Sequence, residues 1–363
     1  MSKVHLEAII KRYGQVVAAQ IDDLVIGDGE VVALLGPSGC GKTTTLRIVA
    51  GLVEHDSGKL TFGDRDVTHV PAERRNAAMV FQNYALFPHM TVYENIAFGL
   101  EVRKFSKADI ARKVAAVLDL VKLPGMGERL PKQLSGGQQQ RIAIARALAT
   151  EPDVLLFDEP LSNLDAKLRE YMRVELRNLL VSLKTTTLYV THDQTEAMVI
   201  SDRVVVMDKG LILQVDTPSN VYLRPATRFV AEFVGSGSFV EGHVKSISPG
   251  ASGPAPTAML TTDDGIDIMG TPTASSRVGD KALICIRPEA VTLALANGAS
   301  SPPGTELEGL VETAVDVGEL IEYEVRVGRW VVRTRSLSTR ARFGKGASVM
   351  VTLDPDRCLL IPA

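Results

Sequence analysis

Short apolar runs punctuate the first part of the chain: Val31–Leu35, Val154–Phe157, Thr187–Val190 and Val204–Met207, with stretches of helical periodicity between them. A strand covered on both faces reads as a nearly continuous apolar run, so the alternation predicts an α/β domain with buried strands. Past about residue 235 the pattern changes. Gly235 and Gly237 lead toward a loop at Ser248–Pro256 rich in Ser, Gly and Pro, followed by the brief runs Leu283–Ile286, Val291–Leu295, Tyr323–Val327 and Trp330–Thr334. Short strands spaced by turn residues predict a small β-barrel or sandwich. The expected division is residues 1–235 and 236–363.

Composition narrows the picture. A chain of 363 residues with 45% apolar and 23% charged residues fits two soluble globular domains. The formal net charge of −3 supplies no basic field, and no long Lys/Arg block supplies a local one, so nucleic acid is not an expected partner. Cys40, Cys285 and Cys358 have no metal-type spacing. With charges at Lys3 and Glu7 in place of a signal-peptide core, the reading is a reduced, cytosolic protein. No stretch approaches the about 18 uncharged apolar residues of a membrane helix, so any membrane association is expected to go through a partner.

The chemistry starts directly after the run Val31–Leu35. Gly36, Pro37, Ser38, Gly39, Cys40, Gly41, Lys42 and Thr43 match the phosphate-loop pattern and lead, through Thr44, into a helix expected at Lys42–Ala50. Glycines let the backbone curl so that its amides face a phosphate, and the helix adds its positive end. Lys42 is expected on the β- and γ-phosphates and Thr43 on magnesium. A thiol beside a helix N-terminus acquires a lowered pKa in some sites, so Cys40 is either reactive or simply a small residue tolerated in the loop.

The apolar run Val154–Phe157 ends in Asp158 and Glu159. Ligands sit at the C-terminal ends of parallel strands. By themselves two acids there also suit a solvated turn or a helix cap, but beside a phosphate loop Asp158 is expected in the magnesium shell and Glu159 on the attacking water. Between these motifs lies Leu134, Ser135, Gly136, Gly137, Gln138, Gln139, Gln140, Arg141, a Ser-Gly-Gly-Gln run opening a helix. Its amides suit a phosphate held elsewhere.

With phosphate loop, Ser-Gly-Gly-Gln run and Asp-Glu strand in this order, the chain resembles the ATP-binding subunit of an ATP-binding cassette transporter, over residues 1 to about 235. The resemblance implies a P-loop NTPase α/β domain with a helical subdomain at about residues 88–150, then an all-β domain of small OB-like barrels. It implies ATP and Mg²⁺. By position it puts Tyr13 on adenine, Gln82 on magnesium and facing a membrane subunit, His192 on the γ-phosphate, and Ser162 and Asp165 in a loop that crosses to the partner. Ser135, Gly136, Gly137 and Gln138 then complete the site of a second subunit, making a homodimer that closes on two ATP molecules. Taken alone, Tyr13 also fits a turn, Gln82 a surface loop and His192 the neighbour of a helix cap.

Gln82 to Met90 and Asp158 to Ala166 resemble importer subunits of the maltose, polyamine, sulfate and ferric-iron group. There the first segment receives a helix from one of two membrane-spanning permease subunits, which work with a periplasmic or lipid-anchored solute-binding protein at the cytoplasmic face of the bacterial inner membrane. Leu86 and Phe87, read as exposed, suit that docking groove, or else lie in the core under a loop. Arg287, Pro288 and Glu289 match an element of the paired small barrels that follow the cassette in this group. Sugar importers carry Gly-Ser-Pro-x-Met-Asn in the linker, whereas this chain has Gly235, Ser236, Gly237, Ser238, Phe239, Val240. The departure points to iron, a polyamine or an anion, with a sugar importer and a soluble cassette ATPase outside transport as the alternatives.

Overall fold

The computed structural model describes residues 2–248, 256–273, 276–295, 304–339 and 342–362. It divides into two compact units, Met1–Pro218 and Ser219–Ala363. The division lies ahead of the change in composition at Gly235, because the helices Pro218–Leu223 and Arg228–Val234 belong almost wholly to the second unit.

The first unit carries a ten-stranded mixed sheet. Its strands are β1 (Val4–Tyr13), β2 (Val16–Ile26), β3 (Val31–Leu35), β4 (Ser57–Phe62), β5 (Arg65–Asp66), β6 (Ala77–Val80), β7 (Val154–Asp158), β8 (Thr186–Thr191), β9 (Arg203–Asp208) and β10 (Leu211–Asp216). They lie in the order β5-β4-β1-β2-β10-β9-β3-β8-β7-β6. The segment β9-β3-β8-β7-β6 is parallel throughout. Every residue of β3 and β8 is buried, as their apolar runs require. The antiparallel strands β1 and β2 instead alternate buried and exposed positions. All four expected strands and the helix α1 (Lys42–Ala50) form where the pattern placed them.

Three helices build a subdomain beside the sheet: α2 (Val92–Val102), α3 (Lys107–Leu120) and α4 (Gly136–Ala149). Val92, Ile96 and Leu100 on α2 and Ile110, Val114 and Leu118 on α3 recur every fourth residue, the spacing of one helical face, and meet Ile142, Ala145 and Ala149 of α4 in one core. Thr91, Ser106 and Ser135 cap these helices, each accepting the amide three residues on. Helices α5 (Ala166–Leu183) and α6 (Gln194–Ile200) complete the unit.

In the second unit, two five-stranded antiparallel sheets enclose a single apolar core. The four brief runs read from the sequence are strands Lys281–Ile286, Val291–Leu295, Leu320–Val327 and Trp330–Leu337. Of the expected loop at Ser248–Pro256, residues 249–255 lie outside the described residues. Arg287 is 2% exposed and donates to the carbonyls of Ala231 at 3.0 Å and Ser236 at 3.3 Å. Its guanidinium lies 4.4 Å from the centre of the Tyr222 ring, whose hydroxyl donates to Glu289 at 2.6 Å. Burial, then the Glu289 carboxylate, pushes the Tyr222 phenol up to about 12. The Arg-Pro-Glu element is therefore a clamp that ties the unit's two helices to its barrel wall.

Candidate functional site

The ends of β3 and β7 and the start of α1 assemble the site. Gly36 closes β3, where a Cβ would stand 2.3 Å from the Met207 carbonyl and 2.5 Å from Cys40 Sγ. Gly41 precedes α1 with φ at 106°, a backbone that L side chains avoid. No side chain caps α1, so its first turn can meet an anion with its amides; within the loop the Cys40 amide donates to the Pro37 carbonyl at 3.3 Å. Pro37 is half-buried and Ser38 and Gly39 are exposed, while Thr44 sits half-buried on the helix's first turn. Lys42 is 5% exposed, and its Nζ donates to the carbonyls of Gly36 at 2.7 Å and Pro37 at 2.9 Å. Phosphate oxygens would compete with those two carbonyls for the ammonium.

Cys40 is 3% exposed. Burial pushes its thiol up, against the pull of the Lys42 ammonium 3.7 Å away. Of the two readings of Cys40, this favours the small residue tolerated in the loop, since desolvation of the thiolate outweighs the pull of Lys42.

Two of the three magnesium candidates meet where α1 starts beside the end of β7: Thr43 Oγ1 donates to Asp158 Oδ1 at 3.2 Å. Burial pushes the Asp158 carboxyl up, with the Thr43 hydroxyl pulling the other way. Among the described residues no cluster of three or more His, Cys, Asp or Glu side chains forms a ready-made metal cage. A single carboxylate beside a hydroxyl suits magnesium, which keeps waters and phosphate oxygens in its shell.

Glu159 follows β7 with φ at 47°, and its amide donates to the Val190 carbonyl at 3.0 Å. This left-handed turn swings the carboxylate off the strand axis, and Glu159 Oε2 lies 3.0 Å from Nδ1 of His192. The imidazole is 57% exposed and the carboxylate 22%. Ser162 Oγ donates to the Glu159 carbonyl at 2.8 Å, and Asp165 caps α5 by accepting from the Leu168 amide at 3.0 Å. Asn163 Nδ2 donates to the Gln82 carbonyl at 2.8 Å, joining the loop after β7 to the one after β6. Gln82 is exposed, and Tyr13 ends β1 at 54% exposure with the Lys11 ammonium 5.3 Å from its ring centre.

At α4, Ser135 Oγ accepts the Gln138 amide at 3.4 Å and the Ser135 amide donates to Gln138 Oε1 at 3.0 Å, a reciprocal capping box. The Gln138 side chain is thus used within its own helix. Ser135 and Gly136 are exposed, whereas Gly137 is buried, and a Cβ there would stand 3.5 Å from Leu168 of α5.

The docking expectation is corrected in part. Leu86 and Phe87 are half-buried, not exposed. Leu86 packs against the cores on both sides of the loop, and the Phe87 ring lies 4.9 Å from that of Phe98 and 5.7 Å from the Arg146 guanidinium. The exposed aromatic rings here are Phe81 at 36% and Phe98 at 40%. The loop is pinned by two residues that sequence reasoning missed. Arg146 donates to the carbonyls of Tyr84 at 3.0 Å and Ala85 at 2.7 Å, and the buried Asn95 to those of Phe87 at 3.1 Å and Met90 at 3.1 Å. Arg169 holds the loop after β7 through the carbonyls of Ser162 at 3.2 Å and Leu164 at 2.9 Å, and Arg75 grips the end of α1 through those of Ile48 at 2.6 Å and Val49 at 3.1 Å. All four act on backbone carbonyls, which every residue carries, so the role leaves no motif in the sequence.

Comparison with known proteins supplies the family. The family model described as ABC transporter matches residues 20–162, and the one described as TOBE domain matches residues 284–361. The chain is 45% identical over 332 residues to a spermidine/putrescine import ATP-binding protein of Thermobifida fusca, covering 89% of this chain and 83% of that one. It is 45% identical over 328 residues to an Fe(3+) ions import ATP-binding protein of Brucella abortus, covering 89% and 87%. Over 327 residues it is 44% identical to an sn-glycerol-3-phosphate import ATP-binding protein of Rhizobium etli, covering 90% and 86%.

Proposed function

The chain belongs to the ABC transporter family as an ATP-hydrolysing import subunit, and on that premise we propose how its residues divide the work. The phosphate loop Gly36–Thr43 wraps the β-phosphate with its amides, Lys42 exchanges its two carbonyls for β- and γ-phosphate oxygens, and Tyr13 stacks on the adenine. Thr43, Asp158 and Gln82 would hold Mg²⁺, which neutralises charge on the phosphates when bound. Glu159 orients the attacking water and takes its proton, while His192 contacts the γ-phosphate.

The observation that carries this reading is the 3.0 Å approach of Glu159 to His192 beside the Thr43–Asp158 pair, which gathers a base, a γ-phosphate contact and a metal position at the end of one sheet. Little covalent chemistry is asked of the protein, since in-line transfer depends on positioning and charge. In this reading Ser135 and Gly137 supply charge stabilisation from the opposite subunit, with two ATP molecules closing a homodimer and hydrolysis reopening it.

The relatives' names support a membrane permease and a solute-binding protein as partners, with the chain peripheral on the cytoplasmic face of the inner membrane. No helix among the described residues is long and apolar enough to cross a membrane. The segment Gln82–Met90 receives the permease, with Phe81 and Phe98 supplying the exposed apolar surface. Ferric iron, a polyamine and a phosphorylated anion are the substrate classes that the relatives' names favour.

The test is Glu159→Gln, which keeps shape and removes the base. ATP binding should persist, an ATP-dependent dimer should accumulate, and turnover should fall about 10²- to 10⁴-fold. Turnover close to that of the unmodified chain would refute the role given to Glu159.

A further inference from the structure

His192 stands in a two-bond bridge between β8 and α6, and the bridge is built around a buried acid. Glu196, on the first turn of α6, is 3% exposed. One of its oxygens, Oε2, accepts from Tyr189 OH at 3.0 Å and from Thr191 Oγ1 at 2.9 Å. Tyr189 and Thr191 are two apart on β8 and therefore face the same side of the sheet. The Thr191 hydroxyl in turn accepts the Asp193 amide at 2.9 Å, and Asp193 Oδ1 accepts the Glu196 amide at 3.0 Å. Thr191 and Asp193, the neighbours of His192 on either side, are thus tied to each other and to Glu196. The imidazole between them meets Glu159 at 3.0 Å.

We propose that Glu196 is the positioning residue of His192, fixing the turn that aims the imidazole at the γ-phosphate. The proposal rests on the reading of His192 given above. Fold stability does not call for an acid here. The titratable and charged groups around the carboxyl are Tyr189 on β8, Asp193 at the start of α6 and Arg173 on α5, and the guanidinium of Arg173 is directed at Asp193, 3.5 Å away. Burial, which raises the Glu196 pKa, outweighs the two hydroxyl bonds that lower it. An apolar side chain would fill the space without that desolvation penalty. A buried acid kept against its own solvation, whose carboxyl holds Thr191 on one side of His192 while its amide is held by Asp193 on the other, is accounted for by what it holds still.

The experiment is a double-mutant cycle on ATP hydrolysis by the full-length chain. Glu196→Leu should lower kcat about 10- to 100-fold with KM for ATP nearly unchanged, the loss expected from a displaced group. Glu196→Gln, which keeps an acceptor oxygen for both hydroxyls, should recover most of it. In a His192→Ala background, Glu196→Leu should add less than about twofold, because the two residues act as one unit. Thr191→Val keeps shape, cuts the bond to Glu196 together with the one from the Asp193 amide, and carries the same expectation where the Leu variant fails to fold. Unchanged kcat in Glu196→Leu or Thr191→Val overturns the proposal, as do losses that multiply in full with His192→Ala. Normal hydrolysis by His192→Ala itself would instead overturn the underlying reading of His192.

Discussion

Asp158 shows how function opposes stability at one residue. Its carboxyl is pushed up by burial, so the folded state disfavours the charged form that a magnesium ligand needs. The sign follows from proton linkage: where the folded pKa lies above the unfolded one, the fold carries a penalty at neutral pH that fades as pH drops into the ordinary carboxylate range. Asp158→Asn should therefore raise the melting temperature in magnesium-free buffer at about pH 7.5, by roughly 2–4 °C per kcal/mol relieved, and stop magnesium-dependent turnover. The gain should shrink toward about pH 4.5. A gain that grew on acidification would show that Asp158 is not the strained group. Cys40 illustrates the same competition, since its neighbour Lys42 favours a thiolate and burial prevails over it.

Elements explain what was legible in the sequence. Apolar runs marked β3, β7, β8 and β9, and the glycines of the loop marked the start of α1, because burial and backbone freedom leave local signatures. Motif spacing likewise named Lys42, Thr43, Asp158 and Glu159, and the family resemblance added His192; the fold gathers them at the ends of neighbouring strands. Arg75, Arg146, Arg169 and Glu196 stayed hidden, since their partners are backbone carbonyls and hydroxyls, which leave no motif in the sequence whether near in the chain or far. The linker glycines have a local explanation. A Cβ at Gly235 would meet Tyr222 at 2.7 Å and Arg287 at 2.8 Å, and one at Gly237 would meet Cys285 at 3.1 Å, so both glycines answer to packing. Helix α4 supplies a prediction at this scale, because Ser135 both caps it and is proposed to reach a nucleotide across the dimer. Ser135→Ala should lower unfolding stability by about 0.5–2 kcal/mol in denaturant titrations, and Ser135→Asp should restore the cap. Both should lose ATP-driven dimerisation measured in the Glu159→Gln background, the aspartate by repelling phosphate. If Ser135→Asp restored dimerisation as well, the hydroxyl would serve only as a cap.

At the scale of the whole molecule, the question is whether one chain suffices. The phosphate loop lies between β3 and α1, whereas the Ser-Gly-Gly-Gln run opens α4 of the helical subdomain, a helix that packs with α2 and α3 on one face and with β6, β7 and α5 on another. If each site takes its loop from one subunit and its Ser-Gly-Gly-Gln run from the other, two inactive variants should repair each other. A chain with Lys42→Ala and a chain with Ser135→Arg are each expected to be dead alone. Mixed in equal amounts, they form heterodimers in which the intact loop of one faces the intact run of the other. Two-fold symmetry then leaves about a quarter of the sites whole, counting heterodimers as half of the dimers with one good site in each. Trapping of labelled ATP at those sites reads the repair even where turnover needs both sites of a dimer. Were the run to act on the nucleotide of its own chain, each variant would be broken by itself and mixing would restore no trapping. The closed dimer would then have to draw its ATP dependence from some other contact.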